Sequence, residues 1–156
     1  ASLAYEKHGI KNTIFRPFSG YGSDQDLTYP FPSIIKRAIN HDNNKNFIVW
    51  GSGYQMRDFI HIKDVVRGSL LISKKVKNGK AVNLSSGKFL SFIKLSKKIL
   101  NMLGKKNINI FGNSTKPEGV FARGGSRSLQ KKFGFKPNIS IEKGIEYAIE
   151  YFNKNF

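Results

Sequence analysis

The sequence contains no cysteine, so neither a disulfide framework nor a thiolate-held metal can contribute to it. Its three histidines, His8, His41 and His61, are scattered and lack the paired spacing of zinc motifs, so no metal site is expected. No apolar run approaches the ~18 residues of a membrane-spanning helix, and no charged-then-apolar leader opens the chain. These absences predict a soluble, cytoplasmic protein with no membrane partner. Acidic residues are also scarce: 10 against 27 basic ones give a formal net charge of +17. Such a balance raises nucleic acid, an anionic membrane surface or an anionic small molecule as partner. The basic residues are spread through nearly every segment in runs no longer than pairs such as Lys97-Lys98 and Lys131-Lys132, and only six are arginine. That distribution reads as a solvating lysine-rich surface, and heavy use of Lys, Asn, Ile and Phe also fits an AT-rich coding sequence.

At 156 residues and 39% apolar content, the chain can bury one core, and residues 1–156 are read as a single unit. "ASLAYEKHG" reads as the tail of a helix closed by Gly9. "NTIFRPFSGYG" follows as a β-branched and aromatic strand that ends in a loop at Gly20 and Gly22. "YPFP" leads into a helix with Ser33 as N-cap and Ile34, Ile35, Ala38 and Ile39 on its apolar face. Phe47 to Trp50 and Asp58 to Ile62 form short strands flanking a Gly51-Ser52-Gly53 turn, where glycines take positive φ at little cost. The pattern predicts a hairpin, with Asp64 capping the helix that carries Val65, Val66, Leu70 and Leu71. "KAVNLSSG" is a buried strand and turn; Ser91 caps a helix that Gly104 stops. "NINIF" alternates as a strand, residues 112 to 126 form an irregular glycine-rich segment, and Ser128 to Phe133 form a helical turn. Pro137 and Ser140 open a last helix with Ile141, Ile145, Ala148, Ile149 and Phe152 on one face. Alternating helices and strands predict an α/β fold with a few strands and about five helices.

Two arginines stand out. Arg57 follows the glycine turn in an apolar setting, where its planar guanidinium is suited to bidentate contact with phosphate; a surface ion pair with Asp58 is the plainer reading. Arg123 lies in "GVFARGGS", where glycines let the backbone approach a ligand, or equally leave the side chain in solvent. Tyr21 follows a strand end, a position where α/β folds place ligand contacts, and core packing is as good an account of it. His61 alternates with Ile60 and Ile62 and is read as structural. Trp50, beside Ile48 and Val49, is read as core although an indole can stack on a base.

Taken in order, "RPFSGYG", "VWGSGYQMRDFIHIKDVV", "NLSSGKFLSFIKLSKKI" and "KPEGVFARGGSRSLQKKFGFKP" with "SIEKGIEYAIEYF" resemble the C-terminal half of the extended short-chain dehydrogenase/reductase family, the NAD(P)-dependent nucleotide-sugar epimerases and dehydratases. The resemblance implies the substrate-binding part of an extended Rossmann-type fold. It implies that Arg57 and Arg123 contact the substrate diphosphate, that Ser19 and Tyr21 face the substrate, and that the full-length parent uses NAD or NADP and a nucleoside diphosphate sugar. Ser19 stands where many members have asparagine, and Ser126 where relatives similar to GDP-fucose synthase have aspartate. The family's glycine fingerprint and its catalytic Tyr-x-x-x-Lys pair do not occur in these residues. No catalytic residue is therefore expected here, and the chain by itself is expected to be inactive and without cofactor. The Rossmann half would precede these residues, with a homo-oligomer open to the parent. The competing reading is a basic, non-enzymatic module that binds nucleic acid, although no nucleic-acid-binding motif is recognisable.

Overall fold

The computed structural model describes residues 1–155 and contains, in chain order, α1 (Ser2–His8), β1 (Asn12–Pro17), β2 (Gly20–Tyr21), α2 (Pro30–Ile39), β3 (Phe47–Trp50), β4 (Met56–Asp58), β5 (Ile60–His61), α3 (Ile62–Ser73), β6 (Asn78–Leu84), β7 (Phe89–Ser91), α4 (Phe92–Met102), β8 (Ile110–Asn113), β9 (Ala122–Arg123), α5 (Ser128–Lys132) and α6 (Ile141–Asn155). The α/β class is as expected, with six helices among the described residues where about five were predicted.

Strands pair mostly with partners distant in sequence. β1 pairs with β6, β2 with β5 and β3 with β8, all parallel. A three-stranded sheet has the order β7-β4-β9, with β4 antiparallel to β7 and parallel to β9. The predicted hairpin around Gly51-Ser52-Gly53 is not formed. The turn instead carries the chain from β3 in one sheet to β4 in another. Gly53, at φ 77°, packs so closely on Ile93 that a Cβ would sit 2.6 Å from its Cγ1. Sequence proximity suggested the hairpin, but β3 gains its hydrogen bonds from a strand some sixty residues later, which no local pattern encodes.

The apolar faces of α2, α4 and α6 meet over β3. Phe31, Ile35, Phe47, Val49, Leu95, Ile99, Ile145 and Phe152 form that core. A smaller cluster of Ile60, Ile72, Val82, Leu84 and Phe135 lies between α3 and β6. Each fully buried aliphatic or aromatic side chain contributes about 1.5–3 kcal/mol, enough in number to fix the small sheets against the helices.

Helix termini follow local chemistry, with two departures from expectation. Gly9 takes the left-handed conformation after α1, and Ser91 Oγ accepts from Lys94 N at 3.3 Å to cap α4, both as predicted. α2, however, begins at Pro30 with Tyr29 as N-cap, so Ser33 lies inside the helix. Proline at the first helical position has no N–H to leave unsatisfied and starts the turn earlier than the serine would. The cap of α3 is His61, whose Nδ1 accepts from Lys63 N at 3.2 Å. Asp64 sits inside the first turn and is buried. Its carboxyl accepts from Asn138 N and Ile139 N, both at 2.9 Å, and from Arg67 Nη2 at 2.7 Å, clamping α3 to the segment that leads into α6. Ile62, Val66 and Leu70 of α3 are exposed, so part of that helix's apolar set lies outside the core. Ile14, Phe15 and Phe18 are half-buried.

Candidate functional site

Arg57 is the middle residue of β4, the central strand of its sheet, and its register partner on β9 is Arg123. Residues paired in register on adjacent strands project to the same face, so the two guanidinium groups share one side of the sheet. Nη1 of Arg57 donates to the carbonyl oxygens of Met56 at 2.8 Å and Val120 at 2.9 Å, and its guanidinium carbon stands 5.5 Å from the centre of the Phe92 ring. Nε and Nη2 donate no hydrogen bond within the described residues. Burial lowers the pKa of Arg57 and the charge of Arg123 pushes the same way, yet a guanidinium remains cationic at neutral pH. The pair is thus a site of unrelieved positive charge that an anion would stabilise.

Asp58 is not the ion-pair partner of Arg57. Successive strand residues point to opposite faces, and Asp58 is fully buried on the other one. Its carboxyl accepts from Ser85 Oγ, from Ser86 N and Oγ at 2.9 and 2.6 Å, and from Gly87 N at 3.1 Å. The Arg-Asp dipeptide therefore divides its work: Asp58 fastens the loop after β6, and Arg57 is left to face a cleft.

That cleft, of about 270 Å³, is lined by Ser19, Tyr21, Gln25, Arg57, Phe92 and Arg123 among others. The structure thus brings all four sequence-predicted residues to one cavity. They differ in what they present. Ser19 holds φ at +38°, a backbone conformation uncommon outside glycine, at the junction between β1 and β2. Tyr21 is buried; its hydroxyl reaches the Ser140 carbonyl at 3.4 Å, and burial followed by the charges of Asp64 and Glu142 pushes its pKa upward. Tyr21 forms the wall of the cleft with its ring, 4.4 Å from that of Phe31.

A second cavity, of about 180 Å³, adjoins the first, and Pro30, Arg57 and Phe92 line both. Its other walls include Arg37, Trp50 and Gln55. Trp50 is 58% exposed, contrary to its reading as core, because β3 alternates: Phe47 and Val49 face inward, Ile48 and Trp50 outward. Gln55 is buried and donates through Nε2 to the Trp50 carbonyl at 2.8 Å, while its Oε1 has no partner. Arg37 donates through Nη1 to the Ile48 carbonyl at 2.9 Å and leaves Nε without one. Sequence reasoning missed Arg37 and Gln55. Arg37 flanks the buried face of α2 and Gln55 follows the glycine turn, and no local pattern singles out either.

Residues 2–85 match the model of the NAD dependent epimerase/dehydratase family. The chain belongs to that family. Similar curated proteins include a dTDP-D-glucose 4,6-dehydratase of Mus musculus, 25% identical over 97% of this chain and 44% of that protein, and a GDP-L-fucose synthase of Sinorhizobium fredii, 27% identical over 97% of this chain and 50% of that protein. Among solved structures, a UDP-glucose 4-epimerase from Thermotoga maritima with UDP-glucose superposes with a TM-score of 0.84 at 24% identity, covering 97% of this chain and 49% of that one. A Bacillus cereus UDP-glucuronic acid 4-epimerase in complex with UDP-glucuronic acid and NAD gives 0.83 at 22% identity over 99% and 49%. The chain spans about half the length of the proteins it matches, and it has the fold of the corresponding part of these epimerases and dehydratases.

The fit of these residues to the family's dinucleotide can be judged at the strand-to-helix junctions, where a pyrophosphate would sit. Both junctions in which a strand runs directly into a helix, His61-Ile62 and Ser91-Phe92, are closed by side-chain caps and have no glycine there to admit a phosphate. Neither of these two junctions forms a dinucleotide cradle.

Proposed function

We propose that this chain is the nucleotide-sugar-binding portion of an NAD(P)-dependent epimerase or dehydratase, and that Arg57 and Arg123 hold the substrate diphosphate. The observation that carries the reading is the register pairing of the two arginines across β4 and β9, at a cleft with no carboxylate among its lining residues. A diphosphate matches two adjacent guanidinium groups in charge and geometry, and each charge-assisted bond is worth about 1.5–3 kcal/mol. The neighbouring cavity suits the nucleoside: Trp50, one of its lining residues, is mostly exposed and offers a π-face. The sugar would then lie in the cleft beside Ser19 and the Tyr21 ring. In this reading the dinucleotide and the acid-base pair come from a Rossmann half outside these residues, which would cover the open edge of β1 and the exposed Ile62, Val66 and Leu70 of α3. The chain alone binds substrate without turning it over.

Calorimetric titration with UDP, GDP and dTDP tests this. The expected result is saturable binding of at least one nucleoside diphosphate that is weakened about tenfold or more in Arg57→Ala, with little heat from NAD. Tight binding of a duplex oligonucleotide, falling with salt at a log-log slope of about 0.9 per phosphate contact, together with no nucleoside diphosphate binding, would favour the nucleic-acid module instead.

A further inference from the structure

Apart from the Arg57 cleft, a cavity of about 410 Å³ opens between β7, the loop after β6 and the segment leading into α6. Among the described residues, Phe59 alone lines both cavities. Four cationic side chains line it: Lys88, Lys98, Arg127 and Lys136. Its single carboxylate, Glu142, is taken by Lys98 at 2.7 Å. No carboxylate among the described residues lies within salt-bridge distance of the other three.

Two of the cations stand on fixed walls. Arg127 donates through Nη1 to the Ser86 carbonyl at 3.0 Å and lies flat on Gly87, where a Cβ would meet its Nε at 2.1 Å. The loop under it is fastened to buried Asp58. Lys136 belongs to the strap whose next residues are clamped by Asp64, and its own carbonyl accepts from Arg67 at 2.6 Å. The rest of the lining mixes the polar Ser86, Asn138 and Ser140 with an apolar set that includes Leu90, Ile139, Phe59 and the half-exposed ring of Phe89.

We propose that this cavity is a second anion site, which takes a phosphate monoester with an aromatic body. Three unmatched cations call for a dianion; a monocarboxylate would leave two of them unrelieved. The guanidinium fork of Arg127 suits phosphate oxygens, with Lys88 and Lys136 as point charges beside it. The Phe89 and Phe59 rings give a planar body apolar surface to cover. The site does not depend on the nucleotide-sugar reading, because none of its cations lines the Arg57 cleft.

The test is titration of the isotopically labelled chain with phenyl phosphate and with AMP, followed by amide chemical shifts. The expected result is saturable shifts at Lys88, Phe89, Asn138 and Ile139. Lys88→Glu combined with Lys136→Glu, both at exposed positions, should weaken binding by about tenfold or more while the spectrum stays dispersed. Arg57→Ala should leave phenyl phosphate binding unchanged while it weakens binding of a nucleoside diphosphate by about tenfold or more. Phenol and inorganic phosphate should each bind at least about tenfold more weakly than phenyl phosphate, since each lacks half of the recognition. Absence of saturable shifts at these residues, affinity untouched by the double charge reversal, or loss of phenyl phosphate binding in Arg57→Ala would each overturn the proposal.

Discussion

Arg57 Nη1 donates to the carbonyl oxygen of Val120 at 2.9 Å, tying the strand that bears one arginine to the segment that delivers the other. One edge of the guanidinium is spent on the backbone, and the opposite edge remains for a ligand. Arg57→Ala should weaken nucleoside diphosphate binding by about 1.5–3 kcal/mol and lower stability by about 1 kcal/mol through the two lost carbonyl contacts. Arg57→Lys should recover only part of the affinity, because an ammonium cannot bond two carbonyls and a phosphate in one plane. Calorimetry and thermal melts on the same three proteins check both quantities. Affinity unchanged in Arg57→Ala would remove the phosphate-grip reading.

Trp50 is the only tryptophan, so its emission reports on one cavity. A nucleoside stacked on its exposed ring should change that emission on titration with the nucleoside diphosphate that binds. Trp50→Ala should cost about 1–3 kcal/mol of affinity with little loss of stability, since the side chain is mostly in solvent. Emission that stays constant through a calorimetrically proven titration would place the base elsewhere.

Asp58 should behave in the opposite way. Its carboxyl receives two hydroxyls and two backbone amides in a fully buried position. Asp58→Ala leaves those donors unsatisfied and should cost about 3 kcal/mol or more; Asp58→Asn keeps the volume but turns an amide donor toward other donors and should cost about 2 kcal/mol. Urea denaturation measures both. Losses below 1 kcal/mol would mean that the loop after β6 relaxes to water without strain.

What could be read from the sequence was whatever local chemistry decides. Gly9, Ser91 and Gly104 mark helix ends because caps and left-handed turns depend on one or two residues. The family resemblance also singled out Arg57 and Arg123, which the fold pairs in register beside one cleft. Pairings that close over long distances were not legible: the glycine turn looked like a hairpin because β8, the true partner of β3, lies far along the chain. Asp58 looked like a surface partner of Arg57 because adjacency in sequence was taken for adjacency in space, although strand alternation separates them. The same alternation could have found Trp50, since Phe47 and Val49 already claim the inner face of β3. Aspartate is in general a better capping residue than histidine, so the local sequence favours Asp64 as the cap. The tertiary contacts from Asn138 and Ile139 claim its carboxyl instead and leave the cap to His61.

Ser19 pays a conformational cost at the mouth of the cleft. A non-glycine residue at φ +38° is strained by about 1–2 kcal/mol, and asparagine tolerates the left-handed region better than serine. Ser19→Asn should raise stability by up to about 1 kcal/mol, a gain of roughly 2–4 °C in melting temperature for a chain of this size. A lower melting temperature would show that the larger side chain does not fit beside Gly20 and Gln25.

His61 predicts how stability depends on pH. Its ring is buried between Tyr21 and Tyr147, with centroids 5.2 and 5.9 Å away, and Nδ1 accepts the Lys63 amide that opens α3. That acceptor exists only in the neutral ring; protonation would set two N–H donors against each other. Burial lowers the pKa of His61, the Lys63 charge lowers it further, and Asp64 opposes them. The unfolded chain titrates near 6.5, so below that pH it binds a proton that the folded chain refuses, and stability falls as pH falls. The contribution is complete above about pH 6.5 and is lost on descending toward the folded value. Carboxylates titrate mainly below pH 5, so the difference between wild-type and His61→Asn melts from pH 7.5 to about pH 5 isolates His61 from the other two histidines. His61→Asn keeps a side-chain acceptor at the cap and has no charge to gain, so its melting temperature should be nearly flat over the same range. A wild-type curve as flat as that of the variant would mean that the folded protein accommodates the imidazolium, and that the cap is made by another acceptor.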